Sequence, residues 1–511
     1  MAGIQGAGSK ALKKPELIIA IVGRLGTDLG SVIEAIEGES AKYRHQFCEV
    51  RVTSLFQYLE HSYELKASTS DQRIEAYISA CNQLRSDTAR KDILALLASN
   101  VIRTKRESIQ GSEHSGTVYV INQIKKPEEI QTLKNIYGEA CIVVSCHSPY
   151  ESRISSLTKK FLTEHSDHGK KDAWKKTAEA LVTKDEKEPD SFGQNVSAAF
   201  PLADCIVDTS SRENTLSGVE RLFRLIFGDP NLSPTYQEYG NNTAAQAALR
   251  STDLSRQVGA AIFDGRRTVI AMGSNEVPKF SGGTYWTDHK HDGRDALRGF
   301  DENTRKKRNL VIDVVERLQE KGILQAEWDS KSHEELTRSL LDDESGALAN
   351  ADILGILEYG RALHAEMNAI TDAARSHTST QGATLFVTTF PCHNCAKHIV
   401  GSGIKEVYFL EPYPKSEALS LYDDSIAVDP TVSTPDRVSF QQFCGVTAQL
   451  FHLFSKSRLK DERGLMRPWN KATALCQLRN YPRDFENYEI LQLSELEPAL
   501  LKAHIEFAKE P

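Results

Sequence analysis

The sequence predicts an α/β fold built from two three-layer domains in tandem, and three observations carry that expectation. The chain has 511 residues, too many for one ordinary hydrophobic core. Apolar runs of strand length alternate with segments of helical spacing, and this alternation occurs twice. Between the two series, "GDPNLSPTYQEYGNNT" shifts the texture to Pro, Gly, Asn and Tyr, as a connection would. Strands alternating with helices imply a mostly parallel sheet covered on both faces.

Residues 1–14 read as a flexible tail leading into "ELIIAIVG", a continuous apolar run that suits a strand buried on both faces and ends at Gly23. After the turn "RLGTDLG", "SVIEAIE" has helical spacing. "TVYVINQI", "ACIVVSC" and "ADCIVDT" repeat the buried-strand pattern, and "GVERLFRLIFG" closes the series as a helix. The first domain is therefore expected at 15–230 and a linker at 231–247. In a second domain at 248–455, "QVGAAIF" and "TVIAMGSNE" read as a hairpin and "YGRALHAEMNAITDAA" as a helix. There "ATLFVTT" reads as a strand, "CAKHIVGSG" as a helix and "EVYFLEPY" as a strand. The charged stretch at about 285–352 reads as a mainly helical insertion. Residues 456–511 read as a helical extension docking on the second domain or on a neighbouring subunit.

Hydrophobic residues make up 40% of the chain and charged residues 26%, ordinary values for a globular protein. No apolar run reaches the roughly 18 residues of a membrane span, so no membrane partner is expected. Nine cysteines scattered without a secretory signal favour reduced thiols and a cytoplasmic location. The net charge of −8 disfavours a broad grip on nucleic acid but leaves room for an anionic small substrate held by local cations. The basic runs "GKKDAWKK" and "TRKKR" read as solvated faces or mobile loops.

"LHAEMNAI", from Leu363 to Ile370, puts His364 and Glu366 two apart in what reads as an apolar helix, with Leu363, Met367 and Ile370 as its packing face. Further on, "PCHNC" offers Cys392 and Cys395 at the start of a helix, where the dipole favours thiolate. One nitrogen and two thiolates suit a tetrahedral zinc with its fourth corner left to water. His364, Cys392 and Cys395 are the expected ligands. Glu366, offset by two, is the expected proton shuttle: it would take a proton from water activated by the zinc, pass it to ring N3, and later protonate the leaving amine. A purely structural zinc site or a redox cysteine pair are the other readings of these residues.

The H-x-E and P-C-x-x-C patterns resemble the signature of zinc nucleobase deaminases. "LSRQVGAAI", "AMGSNEVP", "ALHAEMNAI", "TTFPCHNCAKHIVGSGIKEVYFLEPYPKS" and "LYDDSI" are similar to the deoxycytidylate deaminases. That resemblance implies a cytidine deaminase-like three-layer domain, with Asn275 contacting the deoxyribose and Lys415 of "EPYPKS" near a substrate phosphate or an interface. Relatives of this kind can carry a second zinc in the insertion. Here "TDHKHDG" supplies His289 and His291 without a nearby cysteine, so one zinc per chain is expected.

In the first domain, "GRLGTDLGS" follows a buried strand and opens a helix, the context of a phosphate-binding loop. Gly23, Arg24, Gly26, Thr27, Asp28, Gly30 and Ser31 are its candidate residues. No lysine lies between Lys14 and Lys42, so the loop lacks the charge that phosphoryl transfer uses. "VYVINQIKKPEEIQTLKNIYG", "ALVTKDEKE" and "NVSAAFPLADCIVDTS" resemble a P-loop deoxynucleotide kinase, which implies a kinase-like domain that binds a nucleoside phosphate. From about Pro15 to Ser455 the layout resembles the anti-phage dCTP deaminases of bacteria. This implies conversion of dCTP and dCMP to dUTP and dUMP to starve an infecting phage, a homo-oligomer, and a restraining factor in the healthy cell. The other readings are a polynucleotide cytosine or adenosine deaminase, and a nucleotide-sensing regulator with a structural zinc. The acidic charge and the lack of an evident aromatic strand-binding platform weigh against the former.

Overall fold

The computed structural model describes residues 15–60, 63, 65–109, 116–166, 168–324, 328, 331–342, 346–348, 351–412, 416–430, 436–455, 459–478 and 485–506. The chain divides into two compact units, Met1–Tyr239 with Gln442–Pro511, and Gly240–Gln441.

Among the described residues, the first unit holds β1 (Leu17–Gly23), β2 (Gln46–Arg51), β3 (Thr117–Ile124), β4 (Cys141–His147) and β5 (Cys205–Asp208). They lie side by side in the order β5-β4-β1-β3-β2, all parallel. Every residue of β1 and β4 is buried, which explains their unbroken apolar sequences. The edge strand β2 is mostly half-buried, and its mixed sequence "QFCEVR" hid it from a reading based on apolar runs. From β1 the chain crosses towards β2, and from β4 towards β5, so the direction of winding reverses between β1 and β4. Ligands of open α/β sheets bind at the carboxyl ends of strands at such a switch point, which is where the turn after Gly23 lies.

In the second unit β6 (Gly259–Phe263), β7 (Val269–Ser274), β8 (Thr384–Thr389), β9 (Glu406–Glu411), β10 (Ile426–Val428) and β11 (Val438–Gln442) form a sheet ordered β10-β11-β9-β8-β6-β7. β6 and β7 pair antiparallel as the expected hairpin, β6 is antiparallel to β8, and β8 is parallel to β9. Two glycines set how closely helices approach this sheet. A Cβ on Gly273 would lie 2.2 Å from the Ala365 carbonyl oxygen and 2.5 Å from the Ala369 nitrogen. A Cβ on Gly259 would lie 1.9 Å from the Ala244 carbonyl oxygen. Gly273 pairs with Ala260, the neighbour of Gly259, so the two glycines open opposite faces and the sheet carries a helix on each. Gly273→Ala must push the helix Ala365–Arg375 off its strand, with an expected cost of about 1–3 kcal/mol. A lowered midpoint for this unit in denaturant is the check; an unchanged midpoint would contradict the close approach.

The structure alters three expectations. The segment expected as a linker at 231–247 is helical from Tyr236 onward, in a helix that runs to Ala248 and whose alanine-rich end packs on the sheet at Gly259. The second unit ends at Gln441, well before residue 455. The carboxyl-terminal stretch, expected to dock on the second domain or a neighbouring subunit, belongs to the first unit. There Gly445–Val446 adds an antiparallel strand beside β5, and Leu450, Trp469 and Leu478 join the first core. The Trp469 indole donates to the Phe227 carbonyl at 3.0 Å. These apolar side chains extend the face left beside β5, which is a stronger reason for their position than sequence proximity to the deaminase-like segment.

Candidate active site

The helix of "LHAEMNAI" begins at Ala365, so His364 is its N-cap residue and not an interior position. Leu363 explains the late start. Its N–H donates to the Glu276 carbonyl at 3.1 Å and its carbonyl accepts from the Glu276 N–H at 3.2 Å, a bridge that holds it extended. Leu363 therefore leaves the expected helix face, while Met367 and Ile370 do pack against the core. Asn368 ties the same helix to β7 through Nδ2 and the Ser274 carbonyl at 2.9 Å. Cys392 is likewise the N-cap residue of His393–Gly401, with Cys395 in its first turn. Two helix amino termini thus converge, and their dipoles favour thiolate over thiol.

His364 Nδ1 lies 3.3 Å from the Sγ of Cys392 and 3.3 Å from that of Cys395. The three donor atoms all lie within 4.8 Å of one another. A tetrahedral ion with bonds of about 2.0–2.3 Å spaces neighbouring ligands roughly 3.6 Å apart, so this donor set fits zinc. Among the described residues no second such group of three occurs; His289 spends its Nδ1 on the Trp286 N–H at 2.9 Å. The Cys392 thiol is lowered to about 4, chiefly by the hydrogen bond from Cys395, with burial opposing and His364 assisting. Burial raises the Glu366 carboxyl above the ordinary carboxylate range, with His364 pulling the other way. Glu366 is 3% exposed.

His364, Glu366 and Cys392 line a cavity of about 340 Å³ together with Asn275, Arg256, Thr389 and Phe390. The Asn275 side chain also braces the cavity wall. Its Oδ1 accepts from the Val258 N–H at 2.7 Å and its Nδ2 donates to the Arg256 carbonyl at 2.8 Å. Lys415 lies outside the described residues. One wall comes from the charged insertion: Asp295, Asp301, Asn303, Thr304 and Lys307 all face the cavity. The run "TRKKR" is thus no uniform solvated face, since Arg305 and Lys306 are exposed while Lys307 turns inward. The signal available in the sequence was the spacing of four between Asn303 and Lys307, which puts both on one side of the helix Glu302–Glu320.

The candidate loop of the first unit runs only from Arg24 to Asp28, because Gly30 and Ser31 already belong to the helix Leu29–Lys42. Asp28 caps that helix, accepting from the Ser31 N–H at 3.2 Å and the Ser31 hydroxyl at 2.5 Å. The Thr27 N–H closes the turn on the Arg24 carbonyl at 3.1 Å, with Gly26 at φ +88°. Arg24 lies over the Phe200 ring at 4.2 Å. Gly23 gives its carbonyl to Lys125 Nζ at 2.8 Å. The same ammonium pairs with Asp185 at 2.7 Å, and the other Asp185 oxygen accepts the Leu25 N–H at 2.8 Å. A carboxylate of the chain itself therefore holds an amide and a cation beside the candidate loop.

Residues 234–411 match the family model described as the cytidine and deoxycytidylate deaminase zinc-binding region. The chain is 51% identical over 55 residues to the deoxycytidylate deaminase of Enterobacteria phage T2, covering 11% of this chain and 29% of that protein. It is 47% identical over 53 residues to ComE operon protein 2 of Bacillus subtilis (strain 168), covering 10% and 28% respectively. The chain thus spans less than a third of these curated relatives. The solved dCMP deaminase of cyanophage S-TIM5 is 17% identical with a TM-score of 0.22, over 41% of this chain and 99% of that one. His364, Glu366, Cys392 and Cys395 all fall within the segment that carries the deaminase zinc-binding match.

Proposed function

We propose that the second unit is a zinc-dependent hydrolase that deaminates deoxycytidine nucleotides, converting dCMP and dCTP to dUMP and dUTP. The observation that carries this reading is the convergence of one imidazole nitrogen and two cysteine sulfurs beside a buried glutamate. Bound by His364, Cys392 and Cys395, zinc would supply a water acidic enough to attack near neutral pH. Glu366 then moves the protons. It takes one from the water and delivers it to N3 of the cytosine, and passes the second to the amino group as the C4–N bond breaks. The water oxygen becomes O4 of the uracil and the amine leaves as ammonia, so all atoms balance. Asn275 contacts the deoxyribose from the cavity wall, and the hydrogen bonds to Arg256 and Val258 hold it ready.

In the same reading the first unit senses a nucleoside phosphate at its switch point, and the whole chain, as a cytoplasmic homo-oligomer held in check by a restraining factor in the healthy cell, depletes dCTP once phage infection lifts that restraint. The parallel strand order and the resemblance in layout support this. The Asp185 carboxylate argues that any phosphate there must compete with it for Lys125 and for the Leu25 N–H. No described helix is long and apolar enough to cross a membrane.

Incubating the purified full chain with dCMP, dCTP, CTP, cytidine and a cytosine-bearing single strand, followed by chromatography, tests the central reading. Uracil products from dCMP and dCTP are expected. Conversion of the strand alone would favour a polynucleotide deaminase, and zinc binding without any conversion would favour a regulator with a structural metal.

A further inference from the structure

The cavity beside His364 and Glu366 contains three cations and several carboxylates, and nearly all of them are already paired. Arg361 is held by Asp295 and by the Gly293 carbonyl. Arg256 faces Glu411 at 3.8 Å. Asp301 accepts the Thr304 N–H at 2.6 Å as a helix cap, and Asp253 accepts the Ser255 N–H at 2.9 Å. Lys307 is the exception. Its ammonium donates to the neutral Leu354 carbonyl at 2.7 Å, and among the described residues no carboxylate pairs with it. A half-buried ammonium in a cavity, aimed by one carbonyl and left without a counter-ion, is a site for an anion.

Two further groups on the cavity wall point to a ligand. Asn303, one turn before Lys307, gives its Nδ2 to the Ile356 carbonyl at 3.0 Å, yet its buried Oδ1 has no partner among the described residues. Thr389 is 7% exposed, lines the cavity, and its Oγ1 is also without a partner there. An orphan amide oxygen asks for a hydroxyl donor, and an orphan hydroxyl accepts or donates. An anion for Lys307 and polar partners for Asn303 and Thr389, in one cavity with a base-modifying centre, match the sugar-phosphate end of a nucleotide.

We propose that Lys307, supplied by the insertion, binds the 5′-phosphate of a free deoxycytidine nucleotide, with Asn303 accepting a sugar hydroxyl. This rests on the deaminase reading of the same cavity. The insertion is then the specificity wall of the site: it makes the enzyme a nucleotide deaminase and not a nucleoside deaminase. The chemistry recognised is a phosphate monoester or the first phosphate of a triphosphate, since one ammonium contributes a single charge-assisted contact.

The test compares the full-length protein with Lys307→Ala and Lys307→Arg, measuring kcat/KM for dCMP and for deoxycytidine with zinc content as the check on folding. The preference for dCMP over deoxycytidine should fall about ten- to hundredfold in the alanine variant and be largely restored by arginine. An unchanged preference at full zinc content would overturn the proposal. Independently of any variant, dCMP should protect Lys307 of the native protein from amine acylation, read by mass spectrometry, and deoxycytidine should not. Equal protection by both, or by neither, also overturns it. Better protection by a cytosine-bearing strand than by dCMP would assign the site to a polynucleotide backbone and overturn the free-nucleotide assignment. Because this protection does not require turnover, a protein that deaminates nothing yet shows dCMP-specific protection would lose the deaminase reading and keep the phosphate site.

Discussion

Glu366→Gln is expected to keep its zinc and lose deamination by about 10²–10⁴-fold, the share that a positioned general acid–base supplies. The amide matches the carboxyl in shape, so the helix Ala365–Arg375 and the three ligand atoms should stay where they are. What it cannot do is carry a proton from water to N3 and another to the departing amine. The carboxyl is well placed for that work. It is 3% exposed, and burial holds it above the ordinary carboxylate range, so gaining a proton is less costly there than in water. Metal analysis beside product chromatography decides the matter. Turnover within tenfold of the native protein would remove Glu366 from the chemistry, and loss of zinc would make it a structural residue of the metal site.

Glu489→Ala should destabilise the first unit by about 1–3 kcal/mol, the cost of taking an acceptor from buried donors. Glu489 lies in the helix Phe485–Leu493 and is 1% exposed. It accepts from Arg106 Nη1 at 2.7 Å and from the Tyr137 hydroxyl at 2.7 Å. Burial, and then the Glu489 carboxylate, hold the Tyr137 hydroxyl well above its ordinary range, so it remains a donor. Without Glu489 the Arg106 guanidinium still has Glu16 at 2.8 Å, and the Tyr137 hydroxyl loses the Glu489 carboxylate as an acceptor. A denaturant midpoint for the first unit that shifts by less than about 1 kcal/mol would show that the carboxyl-terminal helix only decorates this unit.

The cluster of His364, Cys392 and Cys395 with Glu366 nearby was largely legible in the sequence. These residues sit in short segments with a telling local spacing: an offset of two between His364 and Glu366, and of three between Cys392 and Cys395. The buried strands β1, β3 and β4 were legible for a similar reason, because a strand covered on both faces needs an unbroken apolar run. The edge strand β2 was not, since it pays no such requirement. The late start of the His364 helix was hidden too, because it depends on Leu363 bridging to Glu276, a residue 87 positions earlier in the chain.

The sequence by itself determined the donor set of the site, the glutamate beside it, and the alternation of strands and helices in two series. Local spacing suffices for these, because helix and turn geometry act over a few residues. Tertiary structure alone decided that the carboxyl-terminal stretch completes the first unit, that Asp185 occupies the loop after Gly23, and that Lys307 faces the cavity while Lys306 faces water. Each depends on which distant surfaces and charges meet once the chain has folded, and no local pattern encodes that meeting.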